Sequence, residues 1–235
     1  MKKLSLGVVA MAASVLSAAP TTFFGLDAGV NPTDPRPRSD AARDRFLNAA
    51  GSVSTLTYDG LSTTANDTSA KNVGLGVLMS VSGDMRSGIR STPGSASNGF
   101  RTSGANRFFL SDTNGAMGGA PVLTIDFAAP VDSFGSYFTG LSTAGGNTLT
   151  LTYSDGGVEQ LSLSGALTGG SLYFGFVDAG RSISQLRISS ANAGDSFSLD
   201  DTSFRLTSAP IPLPTASAMG LVGLSLVGFG RRRST

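Results

Sequence analysis

The sequence predicts an all-β protein, an antiparallel β-sandwich with one short N-terminal helix. Short segments between residues 53 and 206 alternate hydrophobic and polar residues, which is the period of a strand with one buried face. Clusters of Gly, Asn, Asp and Ser separate these segments at intervals of about ten residues. Roughly eight to eleven short strands joined by tight turns are typical of a sandwich.

The single helix is predicted near the N-terminus. Ser39 is a suitable N-cap, residues 41–50 contain no helix breaker, and Gly51 provides a stop. Phe46 and Leu47 are expected to face the core. The arginines around this helix have two interpretations, a contact with polysaccharide or lipid, or a solvated face with Arg–Asp pairs: Arg36, Arg38, Arg43 and Arg45.

Strands are less clear in the first half of the domain than in the second. Val53–Tyr58 and Val73–Val81 are rich in β-branched and apolar residues. Residues 82–119 read as a long loop region with one or two strands, near Phe100 and Arg107–Leu110.

The second half shows regular alternation and turn chemistry. Residues 154–157, Ser-Asp-Gly-Gly, predict a hairpin turn. The irregular spacing of Ile183, Leu186 and Ile188 indicates a bulge. The remaining predicted strands carry inward-facing residues in these sets: Leu123, Ile125 and Phe127; Leu149, Leu151 and Tyr153; Leu161 and Leu163; Leu172, Phe174 and Phe176. A last apolar segment with Phe197, Leu199, Phe204 and Leu206 ends the domain.

Both ends of the chain read as targeting segments. Lys2 and Lys3, an apolar run over residues 4–16 and small residues at 17–19 form a secretory signal peptide. At the other end, an apolar run over 216–230 follows a proline cluster and precedes three arginines. Fifteen helical residues rise about 22 Å, so this transmembrane helix is near the lower limit of length. A plain tail anchor or a buried helix is the alternative.

The C-terminal segment resembles the PEP-CTERM family of bacterial sorting signals, in its VPLPA-CTERM variant. The resemblance rests on the proline motif, the apolar span and the basic end: Pro210, Ile211, Pro212, Leu213, Pro214, Arg231, Arg232 and Arg233. Leu213 stands where the family motif has Glu, and Thr215 where the variant usually has Ala. The resemblance implies processing by an exosortase-type membrane peptidase, after export by the Sec translocon and cleavage by signal peptidase.

Composition excludes several function classes. Five of the 17 basic residues lie in the terminal segments, so 12 basic residues stand against 16 acidic ones, a net charge of about −4. An acidic domain of this kind is not expected to bind nucleic acid. The chain has no Cys and no His, which excludes thiol catalysis, disulfides and every Ser-His-Asp arrangement.

The last predicted strands resemble the end of jelly-roll domains that are common in PEP-CTERM proteins and similar to carbohydrate-binding modules. The resemblance rests on residues 174–180, 183–189 and 194–204. It implies that Asp59 could meet Asp200 or Asp201 at a structural Ca²⁺ site. Neighbouring strand residues point to opposite faces, so both Asp200 and Asp201 can serve only if a bulge or turn intervenes. A solvated Asp pair is the alternative.

Candidate sugar contacts are aromatic residues beside polar loops: Tyr137, Phe138 and Tyr173. Their alternative is a place in the core. We expect no enzyme, because no pair of carboxylates stands out by its spacing. A sugar-acting hydrolase that uses an Asp pair is the alternative function.

The predicted organisation is a signal peptide over 1–19, an N-terminal extension with a short helix over 20–51, the β-sandwich over 52–208 and the sorting tail over 209–235. Within the tail, residues 210–215 form the motif, 216–230 the membrane span and 231–233 the basic end. The expected protein is first a precursor anchored in the inner membrane, then a cell-surface or extracellular protein. Its expected role is interaction or structure, with exopolysaccharide as a candidate partner.

Overall fold

A computed structural model describes residues 18–112, 121–142, 146–190 and 195–207. The predicted signal peptide up to residue 17 and the predicted tail from residue 208 lie outside these residues. The described elements are β1 (Thr21–Ala28), α1 (Pro37–Ala50), β2 (Ser54–Leu56), β3 (Lys71–Gly74), β4 (Val77–Ser82), β5 (Met85–Arg90), β6 (Gly94–Ser95), β7 (Gly99–Phe100), β8 (Arg107–Asp112), β9 (Val122–Thr139), β10 (Asn147–Tyr153), β11 (Val158–Leu163), β12 (Gly170–Val177), β13 (Ile183–Ser190) and β14 (Ser196–Leu206).

The long strand β9 joins the two halves of an antiparallel β-sandwich, as the sequence predicts. Residues 122–127 of β9 pair with β4 on one side, and residues 122–131 pair with β13 on the other. Residues 131–139 pair instead with β12 and β14. Strands β10 and β11 extend the first half, and β1, β8 and β5 extend the second.

The core lies between these two halves. Alternating residues of β9, β10, β12 and β13 contribute one buried set, in agreement with the predicted pattern. Aromatic rings lie at its centre, with Phe134 stacked on Phe176 at 6.1 Å and Phe127 tilted against Phe204 at 5.6 Å. Such pairs contribute beyond their buried area.

The N-terminal segment is part of the sandwich, which the sequence analysis did not anticipate. Strand β1 pairs with β12 along its full length. Helix α1 packs over it and buries Phe46, while Leu47 packs at the margin of the same cluster. The predicted N-cap is wrong. The helix begins three residues earlier, after Arg36, and Ser39 lies buried in its first turn.

The region from residue 82 to 112 contains four strands, β5 to β8, rather than one or two. Strand β5 escapes prediction because the polar Ser87 lies between Met85 and Ile89 on its inward face, although it pairs along its full length with β8. Two later expectations are confirmed. The register shifts between Ile183 and Gln185, and Ser154–Gly157 turns the chain between β10 and β11.

Both ends of the described domain leave the sandwich together. Across the second half, Thr21 is opposite Val177, Val177 is opposite Ser133, and Ser133 is opposite Arg205. The start of β1 and the end of β14 therefore lie on the same side of the sandwich. Three strand spacings separate them, which is about 14 Å. Within the described ranges, α1 is too short and polar to cross a membrane, and no other helix there could do so.

Candidate functional site

Strand β14 carries a bulge at the two adjacent aspartates. The pairing with β9 shifts register between Asp200 and Ser203, and Asp201 has a φ of 46°. A left-handed residue turns the strand locally, so two consecutive side chains can reach the same side. Asp200 and Asp201 can reach the same side only if a bulge intervenes, and the structure contains that bulge.

Both carboxylates bind the same short loop, residues 101–106. The Oδ2 of Asp200 accepts hydrogen bonds from the backbone N–H groups of Thr102 at 2.6 Å and Ser103 at 3.1 Å. The Oδ1 of Asp201 accepts a bond from the Ser103 hydroxyl at 2.7 Å. The hydroxyl of Thr102 lies 3.0 Å from Asp200 and 3.1 Å from Asp201.

Asp59 holds the far end of this loop. Its Oδ1 accepts backbone bonds from Ala105 at 2.6 Å and Asn106 at 2.8 Å, and the Asn106 bond lowers the pKa of the Asp59 carboxyl. Asp200 is in the opposite situation. Burial, with the nearby Asp201 charge, raises the pKa of Asp200 to about 7.

The expected calcium site combines Asp59 with Asp200 or Asp201, and a solvated Asp pair is the alternative. The structure brings all three to one loop, where they accept bonds from its N–H and O–H groups. In the described parts of the chain, no three acidic side chains are grouped so that they could hold a metal ion. Calcium binding stays a prediction, and an upward shift of the unfolding midpoint on adding calcium would support it.

The predicted aromatic platforms are wrong for a physical reason. Tyr137 and Tyr173 lie beneath helix α1, with 3 % and 0 % of their surfaces exposed, and their ring centroids are 5.1 Å apart. Phe138 is fully buried in the main core. The Tyr137 hydroxyl donates to Asp40 at 2.6 Å. A sugar ring has no access to these faces, because the helix already covers them.

The four helix arginines divide between two flanks of α1, and Arg43 lies on the same flank as Arg36, which is seven residues before it. Arg36 lies 5.3 Å above the Tyr137 ring and pairs with Asp40 at 3.7 Å, so it belongs to the packed flank. Arg38 and Arg45 lie on the other flank, seven residues apart and therefore on one face of the helix. This second flank faces the edge of β1 that pairs with no strand among the described residues, which we call the free edge of β1.

An open groove lies between the free edge of β1 and helix α1. It has a volume of about 570 Å³, and we call it the β1–α1 groove. Its lining is largely apolar, with two arginines: Phe24, Leu26, Ala28, Pro37, Arg38, Ala41 and Arg45. Phe24 is 45 % exposed, and Arg45 reaches across to the Phe24 carbonyl oxygen at 3.3 Å.

Two residues of β1 hold the helix close enough to form this groove. A Cβ at Gly25 would overlap the carbonyl oxygen of Arg38 and crowd Ala42, so only glycine permits this approach. The carboxylate of Asp27 accepts bonds from the backbone N–H groups of Arg38 and Ser39. The cap that the sequence analysis sought within the helix comes from the neighbouring strand.

The hydrolase alternative needs two carboxylates in one accessible cleft. Asp200 and Asp201 are buried against their loop. Glu159 and Asp178 each lie 3.0 Å from the Tyr153 hydroxyl, but Arg181 stacks 3.2 Å from the Tyr153 ring and closes this site. The β1–α1 groove has no acidic lining residue. Its arrangement is suited to binding rather than to acid–base chemistry.

No family model matches this chain, and no curated protein sequence gives a significant match. Solved structures similar to it include the CBM22-1 xylan-binding domain from Paenibacillus barcinonensis Xyn10C, at 13 % identity and a TM-score of 0.38 over 68 % of this chain and 97 % of that chain. A variant of the family 29 carbohydrate-binding module CBM29-2 is similar at 11 % identity and a TM-score of 0.36, over 68 % of this chain and 100 % of that chain.

An exo-beta-agarase is similar at 13 % identity and a TM-score of 0.39, over 63 % of this chain. This chain spans a quarter of that enzyme's length, with 25 % covered. Similarities at these scores do not establish a shared ligand or activity. The β-sandwich assignment itself rests on the strand registers described above.

Proposed function

We propose that this chain is an exported, non-catalytic carbohydrate-binding protein, and that the β1–α1 groove contacts a polysaccharide. The observation that carries the proposal is the exposed ring of Phe24 at the mouth of an open, apolar groove with charged groups on its far wall. Aromatic faces receive the C–H face of a sugar ring, while guanidinium groups donate hydrogen bonds to sugar oxygens.

The groove has the features of a binding surface. It is concave and mainly apolar, and its few polar groups converge from one helix face. Its walls are fixed, because Asp27 bonds strand to helix and Gly25 lets the two elements approach closely. A site held by such contacts loses little conformational entropy when a ligand binds.

Binding of the full chain to a panel of neutral and acidic polysaccharides tests this proposal. Phe24→Ala should weaken binding about tenfold, since a stacked aromatic contact is worth roughly 1 kcal/mol or more. Leu78→Ala is the matched control, because Leu78 is an apolar strand residue with 42 % exposure outside the groove. Absence of binding to every polysaccharide, or equal effects of the two variants, would contradict the proposal.

We further propose that the protein is delivered by Sec, held by its C-terminal tail and processed by an exosortase-type peptidase to reach the cell surface or the extracellular matrix. The terminal sequences support this, and so does the position of both ends of the described domain on one side of the sandwich. A domain with this geometry can be held to a membrane from one side.

Mass spectrometry of the secreted form tests the processing. A new C-terminus between Pro212 and Thr215 is the expected result. An intact Arg231–Arg233 end, recovered only in the membrane fraction, would overturn the processing proposal.

A further inference from the structure

We infer that the β1–α1 groove selects an anionic polysaccharide, one whose sugars carry carboxylate or sulfate groups, and that Arg38 and Arg45 bind those groups. This inference rests on the proposed function, since it names the class of polysaccharide for the same groove. It depends on three observations: the spacing of the two arginines, the lack of negative charge around them, and the occupation of the helix N-terminus by Asp27.

The arginines form a short row along the groove. Arg38 and Arg45 are two helical turns apart, which places their backbones about 10 Å from each other along the helix axis. Ala41 lies between them, and its small side chain leaves space for a ligand over the apolar lining of the groove. A guanidinium group binds a carboxylate or a sulfate through two parallel hydrogen bonds. Two such groups over one floor suit a chain with repeated negative charges better than a single small anion.

The two guanidinium groups have no internal counter-charge. Among the residues that the structure describes, the ion pairs use other partners, and neither Arg38 nor Arg45 has a carboxylate oxygen within 4.0 Å. Both residues are exposed. The remaining lining residues carry no charge, so the groove is locally basic within a domain that is acidic overall.

Two nearby acidic residues, Asp27 and Asp40, have partners away from the groove arginines. Asp27 is 8 % exposed and accepts bonds from the helix N-terminus and the Ser39 hydroxyl. Asp40 bonds Tyr137 and pairs with Arg36 on the opposite flank. Since Asp27 already occupies the helix N-terminus, an incoming anion must be bound by the side chains of Arg38 and Arg45 rather than by backbone N–H groups.

A neutral sugar could accept hydrogen bonds from the two arginines but would leave their positive charges without a partner. Stacking of a sugar ring on Phe24 requires no charge on the opposite wall. Without an anion, the exposed charges of Arg38 and Arg45 contribute little to the binding free energy. An anionic sugar uses both walls, with its ring on Phe24 and its charged substituent on the helix. Binding should then weaken as salt concentration rises, because surface charges are screened over about 10 Å at 0.1 M.

The test compares four forms of the full chain: wild type, the double variant Arg38→Gln/Arg45→Gln, Phe24→Ala, and Arg187→Gln as the control. Arg187 is an exposed arginine of β13, outside the groove. The probes are polygalacturonate, alginate and a neutral β-glucan, and lipid-coated wells of phosphatidylglycerol or phosphatidylcholine. The groove variant should bind the acidic probes about tenfold less tightly, whereas the control keeps the affinity of the wild type.

Each contrary outcome is distinct. Equal or tighter binding of the β-glucan, dependent on Phe24 but not on the two arginines, would overturn the inference and leave the proposed function standing. Failure to bind any polysaccharide would overturn both. A preference for phosphatidylglycerol over phosphatidylcholine that needs Arg38 and Arg45, without binding of polysaccharide, would assign the basic row to a lipid surface and overturn the inference.

Discussion

The Oδ2 of Asp27 accepts two hydrogen bonds from Ser39, one from its backbone N–H and one from its hydroxyl, each at 2.8 Å. These bonds join strand β1 to helix α1, because Asp27 belongs to the strand and Ser39 to the first turn of the helix. They cap the helix from outside its own sequence and set the distance between the two walls of the groove.

Asp27→Ala should lower the free energy of unfolding by about 2 kcal/mol, since it removes a helix cap and leaves buried donors without an acceptor. Urea denaturation measures this loss. Asp44→Ala changes an exposed aspartate of the same helix and should alter stability by less than about 0.5 kcal/mol. Equal losses in the two variants would show that the contact between strand and helix is not the cause.

The aspartate pair on β14 predicts an unusual pH dependence. Burial raises the pKa of Asp200 to about 7, whereas the same group titrates near 3.9 in an unfolded chain. Between these values the folded protein holds a proton that the unfolded chain has lost. The free energy of unfolding should therefore fall as pH rises from about 4 to 7, by up to about 4 kcal/mol.

Asp200→Asn removes this titration. Urea denaturation at pH 5 and at pH 8 should show a smaller loss of stability with rising pH for the variant than for the wild type. Asp44→Asn should retain the wild-type difference. A variant whose loss of stability matches that of the wild type would mean that Asp200 is ionised in the folded protein across this range.

Tyr137 should act in stability and not in binding. Tyr137→Phe removes the hydrogen bond to Asp40 but keeps the packed ring, so the free energy of unfolding should fall by about 1 kcal/mol. Affinity for polysaccharide, measured on the same preparation, should stay within twofold of the wild type. Loss of affinity with unchanged stability would restore Tyr137 as a ligand contact.

The fold was largely predictable where side chains alternate. Leu149, Leu151 and Tyr153 in β10 alternate without interruption, and the structure buries all three. Strand β1 was missed because Phe23, Phe24 and Gly25 break the alternation. Its pairing with β12 is set by a strand about 150 residues away in sequence, which local patterns do not report.

The candidate site could be predicted less well for the same reason. Tyr137 and Tyr173 lie in strands that are next to polar loops in the sequence, yet helix α1 covers them in the folded chain. Phe24 lies beside Arg45 only because β1 and α1 pack together. The four helix arginines gave a partial signal, since their spacing of seven residues already places Arg38 and Arg45 on one face. Asp200 and Asp201 were recognised as a pair, but their bulge depends on pairing with β9.

The most direct test of the account is to observe the groove while it binds. In a nuclear magnetic resonance titration of the full chain with oligogalacturonate, we expect the largest shift changes at the Phe24 ring and at the Arg38 and Arg45 side chains. Signals from the exposed outer face of β13, such as Arg187, should move little. Changes concentrated on that outer face, with Phe24 unaffected, would contradict the central claim that the β1–α1 groove is the binding site.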